Sequence, residues 1–418
     1  MIVVQGGPPL QGSLPAVGAK NAALPAIFAS LLTDNPVVLE NVPRLHDVDT
    51  AVELVRALGK EVELAGNTLT LVGGDGVAPT APEELVRRMR ASFLALGPTL
   101  ARAGEAAMPL PGGCAIGARP VDLHLKGLAA LGAELEIRGG TVHARASRLR
   151  GATVYLDYPS VGATEQLLLA GALAAGELTV LNPAREPEVV DLGRLLTAMG
   201  APVRWEQDRV MVAGTPRLRG ATHRVIPDRI ETGTCLLAGA VTGGSVEVVG
   251  VDPPPLAALL VKLAEAGLAV DCTNGRVKVT AQGRPRAVDV ESRPYPGFPT
   301  DLQPPMVTLL AVAAGEALVR ETVFEARFGH VAELRRMGAR LRLQGNTLAV
   351  EGVARLVPAR VRATDIRAGA ALVLAGLVAD GRTEVEGEEH VHRGYQDLPG
   401  RLRALGGHVW QENAASSH

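Results

Sequence analysis

One glycine-marked pattern recurs six times along this chain and limits what the chain can fold into. A Leu/Met-Gly pair, Ala-Gly in one copy, closes an amphipathic stretch, and its glycine falls at Gly59, Gly132, Gly200, Gly267, Gly338 and Gly406. The spacings of 73, 68, 67, 71 and 68 residues are close to one sixth of the 418-residue chain, so the repeat fills it. Each copy holds the same parts in order. A nearly all-apolar stretch comes first, as in Leu167–Ala175, Cys235–Val241, Thr308–Ala314 and Ala371–Val378, and its length without polar relief predicts a buried helix. A glycine stop follows at Gly104, Gly176, Gly244, Gly315 or Gly381, and then a β-branched run such as Leu178–Leu181 or Val246–Val249 reads as a strand. Next comes an amphipathic helix, Val189–Met199 or Val331–Met337, closed by the repeat glycine in a position that favours a left-handed cap. Two alternating runs then flank Gly66-Asn67, Gly139-Gly140, Asn274-Gly275 or Gly345-Asn346, which predicts a hairpin.

The unit is therefore helix, strand, helix, strand, strand. A helix that is apolar all round needs neighbours on every side, so several copies must surround their buried helices with sheets outside. The expected fold is α/β: two inside-out domains of three copies each. An open solenoid is the other arrangement of repeats, but a unit of about 70 residues exceeds the common solenoid periods of roughly 20–50. Aromatics are only 3%, so the cores must be built from Ala, Leu and Val.

Composition removes several function classes. The chain is 47% hydrophobic and 21% charged with a net charge of −2, which excludes a disordered chain and offers no electrostatic case for nucleic acid. Its opening MIVVQGGPPLQG has no basic region followed by an apolar stretch, so no secretory signal is expected, and the apolar runs are too short for a bilayer. A soluble, cytoplasmic protein without membrane association is the expectation. Cys114, Cys235 and Cys272 have no metal-type spacing and form no disulfide framework. Arginine outnumbers lysine 37 to 5, which decides nothing about function.

Segments that depart from the repeat are the candidates for chemistry. Gly18-Ala-Lys-Asn21 precedes the first buried helix; it reads either as a solvated lysine beside an Asn cap or as a cation and amide at an anion-binding helix N-terminus. Pro111–His124 replaces a short link, and its three glycines around Cys114 suit a lid that presents a thiol, with Arg119 nearby. Pro227–Gly233, Phe298–Gln303 and Ala363–Ala368 occupy the same slot as Gly18–Asn21, and helix capping is the default reading for Asp228 and Asp365. Arg90, Arg327 and Arg393, with Lys20 and Arg119, point to a highly anionic substrate. No glycine-rich nucleotide loop occurs, which disfavours a kinase or dehydrogenase.

At these segments the chain resembles the enolpyruvyl transferases, and within them the group that acts on UDP-N-acetylglucosamine. The resemblance runs through Gly18–Ala23, Pro111–Pro120, Ser160–Thr164, Ala184–Glu188, Pro227–Gly233, Phe298–Asp301, Ala363–Asp365 and Arg393–Tyr395. It implies the two-domain inside-out fold, with residues 21–228 and 1–20 plus 229–418 as the domains and a cleft between them that closes on ligand. It also implies transfer of enolpyruvate from phosphoenolpyruvate to the 3′-hydroxyl of UDP-N-acetylglucosamine, with release of phosphate. Addition across an enol double bond needs a positioned acid and base. By resemblance Cys114 is the acid, and Asp301 is the base or orients the hydroxyl. Lys20, Arg119 and Arg393 hold phosphoenolpyruvate, and Asp365 is similar to a catalytic aspartate. Asn21, Arg90, Arg119, Pro120, Val121, Asp122, Leu123, Tyr158, Pro159, Ser160, Val161, Asp301 and Val323 resemble the groups that bind the UDP-sugar. His392 departs from the family pattern, which has aspartate there. No metal or organic cofactor is implied, and the partners are small molecules. A shikimate 3-phosphate enzyme of the same fold is the nearest alternative, and a silent UDP-sugar-binding scaffold a further one; the cysteine loop speaks against the first and the retained set of reactive residues against the second.

Overall fold

Six helices carry the apolar runs in a computed structural model that describes residues 1–74, 76–111, 120–273 and 275–412. They are α1 (Lys20–Ala29), α2 (Leu96–Ala103), α3 (Val161–Gly171), α4 (Arg229–Val241), α5 (Gln303–Val312) and α6 (Ile366–Leu377). The last four begin five or six residues before the apolar runs that predicted them. Their first turns are polar and yet buried: Thr164, Glu165 and Gln166 in α3, Glu231, Thr232 and Thr234 in α4, Gln303 in α5 and Arg367 in α6. Capping makes this possible, because a helix start leaves four N–H groups without partners. Ser160 Oγ accepts from Ala163 N at 3.3 Å, Asp228 Oδ1 from Ile230 N and Glu231 N at 2.7 and 2.9 Å, and Asp365 Oδ1 from Arg367 N and Ala368 N at 2.9 and 3.1 Å.

Each copy also holds a strand that the sequence pattern did not reveal. It precedes the buried helix and pairs in parallel with a strand that follows a buried helix, as in Thr153–Tyr155 beside Glu177–Leu181, with Val154 opposite Val180. These leading strands are three to five residues long, too short for a period-2 signal. Among the described residues five sheets are four-stranded; in the second copy the leading strand shrinks to a single bridge, Thr80 to Ala107, and that sheet has three strands. The repeat glycines all adopt positive φ, from 84° at Gly338 to 109° at Gly200, so each needs the freedom that glycine alone has. One stop differs from expectation: Gly243 is left-handed (φ 73°), while Gly244 instead lets the Leu10 carbonyl oxygen pass 1.9 Å from where a β-carbon would sit.

Two strand exchanges divide the chain. Gln11–Pro15 leads into α1 but pairs in parallel with Ser245–Val249, Ser245 opposite Gln11. Ala221–Arg224 leads into α4 but pairs with Val37–Glu40, Ala221 opposite Val37. The last copy, moreover, takes a central strand from the start of the chain: Ile2–Gln5 lies antiparallel between Arg382–Glu386 and His408–Gln411. Two units result, each with three sheets and three buried helices. One contains Met1–Val17 and the chain from Pro227 onward; the other holds the described residues between Gly18 and Ile226.

Each unit has its own apolar core. In the first, α4, α5 and α6 touch pairwise; in the second, α2 and α3 touch directly and α1 meets them through the 3₁₀ turns Ser30–Leu32 and Arg90–Ala95. The fold is thus α/β and inside-out, with helices at the centre of each unit and sheets around them. The crossings fall after Val17 and Ile226, a few residues before the positions expected, so Lys20 belongs to the unit of Arg90 and not to that of Arg393. Ala19 N–H donates to the Ile226 carbonyl at 2.8 Å, which fixes the start of α1 there. Among the described residues no helix is long and apolar enough to cross a membrane.

Candidate functional site

In the unit that holds Gly18 to Ile226, Lys20 opens α1 and is buried. Its Nζ donates to Asp47 Oδ2 at 3.0 Å, and Asp47 is buried too. This is not a solvated lysine: its buried amino group is paired with a carboxylate on the neighbouring helix, His46–Ala57. Asn21 is the second helical residue, and the cap position is Ala19, which makes no side-chain bond.

A second set gathers around two helix starts. Arg90 Nη2 donates to the Pro120 carbonyl at 3.3 Å. Pro120 and Val121 lead into helix Asp122–Ala130, with Asp122 and Leu123 in its first turn. Through His124 this helix start reaches that of α3: the ring stands edge-on to Phe93 at 5.5 Å, and its Cε1 is 2.9 Å from a β-carbon placed on Gly162. Lys126 ties to Asp157 at 2.6 Å, just before Tyr158, Pro159, Ser160 and Val161; Tyr158 is 40% exposed, and its carbonyl accepts from Ser160 N at 2.7 Å. Arg90, Pro120–Leu123 and Tyr158–Val161 are therefore neighbours. Two helix N-termini beside a guanidinium make an electropositive surface suited to phosphate groups.

In the other unit the centre is Asp301, in the 3₁₀ turn Thr300–Leu302. Arg327 donates to its Oδ1, and Arg367 Nη2 to its Oδ2 at 3.2 Å. Both arginines are at least 95% buried, while the Asp301 side chain keeps about a quarter of its surface exposed. Two guanidiniums thus hold one carboxylate oxygen each. Arg327, expected to bind substrate directly, spends its charge on Asp301. Asp365 caps α6 two residues before Arg367 and so places it. Val323 N–H is taken at 2.8 Å by the buried Glu321, whose other oxygen accepts from Thr300 Oγ1 at 3.0 Å. Asp301, Val323, Arg327 and Asp365 accordingly form one cluster. Arg393 caps the short helix Glu388–His392 and is followed by Tyr395, over whose ring Arg367 lies at 5.0 Å. His392 contacts Gln411, Nε2 to Nε2 at 2.6 Å. Cys114 and Arg119 lie outside the described residues.

Sequence reasoning did not select Asp47, Glu231, Arg367 or Arg401. Asp47, Glu231 and Arg367 are buried and Arg401 is partly buried, each against a group of opposite charge. The signal for two of them was present in quoted segments: Glu231 in Pro227–Gly233 and Arg367 in Ala363–Ala368, each a charge placed inside a helix that must be buried. Burial pushes the Glu231 carboxyl up to about 7, an effect that the Arg401 guanidinium partly offsets. His330, buried beside this cluster, is lowered to about 4, again chiefly by burial.

Comparison with known proteins agrees with this architecture. The family model described as EPSP synthase (3-phosphoshikimate 1-carboxyvinyltransferase) matches residues 4–402. A UDP-N-acetylglucosamine 1-carboxyvinyltransferase 1 of Caldanaerobacter subterraneus is 47% identical over 98% of this chain and 99% of its own. A UDP-N-acetylglucosamine 1-carboxyvinyltransferase 2 of Carboxydothermus hydrogenoformans is 49% identical over 97% and 98%. Among solved structures, the enolpyruvyl transferase NikO from Streptomyces tendae superposes with a TM-score of 0.89 at 28% identity, covering 98% of both chains. EPSP synthase from Acinetobacter baumannii, at 19% identity and a TM-score of 0.76 over 98% of this chain and 99% of its own, shares the fold. With a match across nearly its whole length, the chain belongs to the EPSP synthase family of enolpyruvyl transferases.

Proposed function

We propose that this protein transfers the enolpyruvyl group of phosphoenolpyruvate to the 3′-hydroxyl of UDP-N-acetylglucosamine and releases phosphate. The observation that carries this reading is the 47–49% identity, over 97–98% of the chain, to relatives bearing that activity in their names. The product is a peptidoglycan precursor, and the work is cytoplasmic.

In the first step the 3′-oxygen bonds to C2 of phosphoenolpyruvate and loses its proton while the methylene carbon gains one, giving a phosphate-bearing tetrahedral ketal. In the second a methyl proton leaves, the double bond re-forms and the C–O bond to phosphate breaks. Cys114 supplies the proton to the methylene carbon. Asp301 orients the hydroxyl and accepts its proton as the new C–O bond forms, passing it to the leaving phosphate in the second step, while the methyl proton returns to the Cys114 thiolate. Lys20, Arg119 and Arg393 hold the phosphate and carboxylate of phosphoenolpyruvate, and stabilise the charge that grows on the leaving group. Asn21, Arg90, Pro120–Leu123, Tyr158–Val161 and Val323 bind the UDP-sugar.

Phosphate release from phosphoenolpyruvate, measured with UDP-N-acetylglucosamine and with shikimate 3-phosphate in parallel, tests the assignment. Release with the first alone is expected; release with the second, or with neither, would overturn it. The phosphonate epoxide fosfomycin carries an anionic group that Lys20, Arg119 and Arg393 can hold while the Cys114 sulfur opens the ring. Peptide mass mapping should then find the adduct on Cys114. Cys235 is buried in α4, where desolvation raises its thiol to about 11, and should remain unmodified.

A further inference from the structure

We propose that Glu231 is a positioning residue for this reaction, fixing through its carboxylate the turn that carries Arg393. The proposal rests on the reading that Arg393 holds phosphoenolpyruvate. Glu231 lies in the first turn of α4 and is 2% exposed. Its Oε2 accepts from Gln396 N at 3.2 Å, and its Oε1 is 2.8 Å from Arg401 Nε. One turn further along α4, Thr234 Oγ1 donates to the Ile230 carbonyl at 2.9 Å, so the 3.1 Å contact with Tyr395 is one in which the phenol donates. Helix α4 therefore grips two consecutive residues, Tyr395 and Gln396, immediately after Arg393 and Gly394. Arg401 is anchored in turn, its Nη2 donating to the Pro15 carbonyl at 2.9 Å.

The helix does not need Glu231 in order to form, because Asp228 already caps it. Nor does the core: replacing a buried ion pair by apolar side chains of similar size is often neutral or stabilising. A buried carboxylate here contributes direction. It is an acceptor at one fixed point for one backbone N–H, and that N–H belongs to the turn that presents Arg393. Tyr395, held from beneath, also supports Arg367 and hence Asp301, so one helix end aligns an anion-binding arginine and the hydroxyl-orienting aspartate.

The test is steady-state kinetics on Glu231→Gln, with Arg393→Ala as reference and melting temperature as a check of folding. Glu231→Gln turns an amide N–H₂ or a weaker oxygen toward Arg401 and Gln396, and should raise KM for phosphoenolpyruvate about tenfold while KM for UDP-N-acetylglucosamine stays within about twofold. A double variant, Glu231→Met with Arg401→Met, should recover the melting temperature and still show the raised KM, a result that a purely structural role would not give. If Arg393→Ala raises KM for phosphoenolpyruvate but Glu231→Gln leaves it unchanged, the proposal is wrong and the Arg393 reading stands. If Arg393→Ala changes nothing, that reading fails and the proposal with it. Should Glu231→Gln not fold, Glu231→Asp makes the same measurement, since it keeps the charge for Arg401 and withdraws the acceptor from Gln396.

Discussion

Asp301 owes its fixed orientation to the two arginines that hold it. A lone carboxylate on a 3₁₀ turn would sample several rotamers, but Arg327 and Arg367 hold one oxygen each. Asp301→Asn keeps the shape but offers an N–H₂ to one guanidinium, so turnover should drop by a factor of about 10² or more with the UDP-sugar still bound. Stopped-assay turnover and a binding titration on the same variant check this; wild-type turnover would remove Asp301 from the chemistry. Buried titratable groups in the same unit also make stability depend on pH. Glu231 takes up its proton near 7 when folded and near 4.5 when unfolded, so its contribution is fully present below 4.5 and is lost as pH rises to 7, by about 3 kcal/mol at most. His330 acts in the opposite sense, its contribution lost as pH falls from 6.5 to 4. Urea midpoints at pH 5 and 8 should therefore move less in Glu231→Gln than in the wild type; equal movement would contradict the assignment.

Among the elements, the buried helices share a feature that shows why they fit against their sheets. Leu169-Ala-Gly171, Leu237-Ala-Gly239 and Leu374-Ala-Gly376 stand at the same position, ten residues after the starts of α3, α4 and α6. A β-carbon on Gly171 would meet Leu178 Cδ2 at 2.6 Å, on Gly239 Val246 Cγ2 at 2.6 Å, and on Gly376 Val4 Cβ at 2.8 Å. The glycine lets each helix approach the strand that follows it or, in α6, the strand from the chain's start. Gly239→Ala gains helix propensity of about 1 kcal/mol but must displace a core valine at a cost of roughly 1–3 kcal/mol, so the net effect should be a lower melting temperature. A rise would refute the close-packing argument. The repeat glycines were legible in the sequence because period and residue type coincide, whereas these triplets lay inside runs read only as apolar. The leading strands were not legible, since three to five residues hold too few alternations. The polar helix starts were visible as segments, but their pairing was not, because partners such as Arg401 for Glu231 and Asp301 for Arg367 lie 170 and 66 residues away in the chain. The family motifs drew attention to Lys20 and Asp301 but not to the buried partners Asp47 and Arg367 that hold them.

Across the whole molecule, the chain's start is built into its end. Ile2–Gln5 is a central strand of the last sheet, with Ile2 opposite both Val385 and Gln411, and Ile2, Val3 and Val4 are fully buried. The sixth copy is therefore completed by residues 377 or more positions away, and their pairing comes late in folding, after the loop-closure entropy of nearly the entire chain has been offset. The two units can be followed separately, because the chain has two tryptophans and each unit has one: Trp205 packs against the core of the Gly18–Ile226 unit, and Trp410 lies opposite Val3 in the last sheet. Ile2→Ala should cost about 2–5 kcal/mol in the sheet it completes, the usual range for emptying a buried aliphatic site. Urea unfolding of Ile2→Ala in a Trp205→Phe background, followed by Trp410 fluorescence, should show a clearly lowered midpoint. In a Trp410→Phe background, Trp205 reports the core that Ile2 does not enter, and its midpoint should move less. An unmoved Trp410 transition would mean that the last sheet closes without the chain's start, and would overturn the account of how the sixth copy is completed.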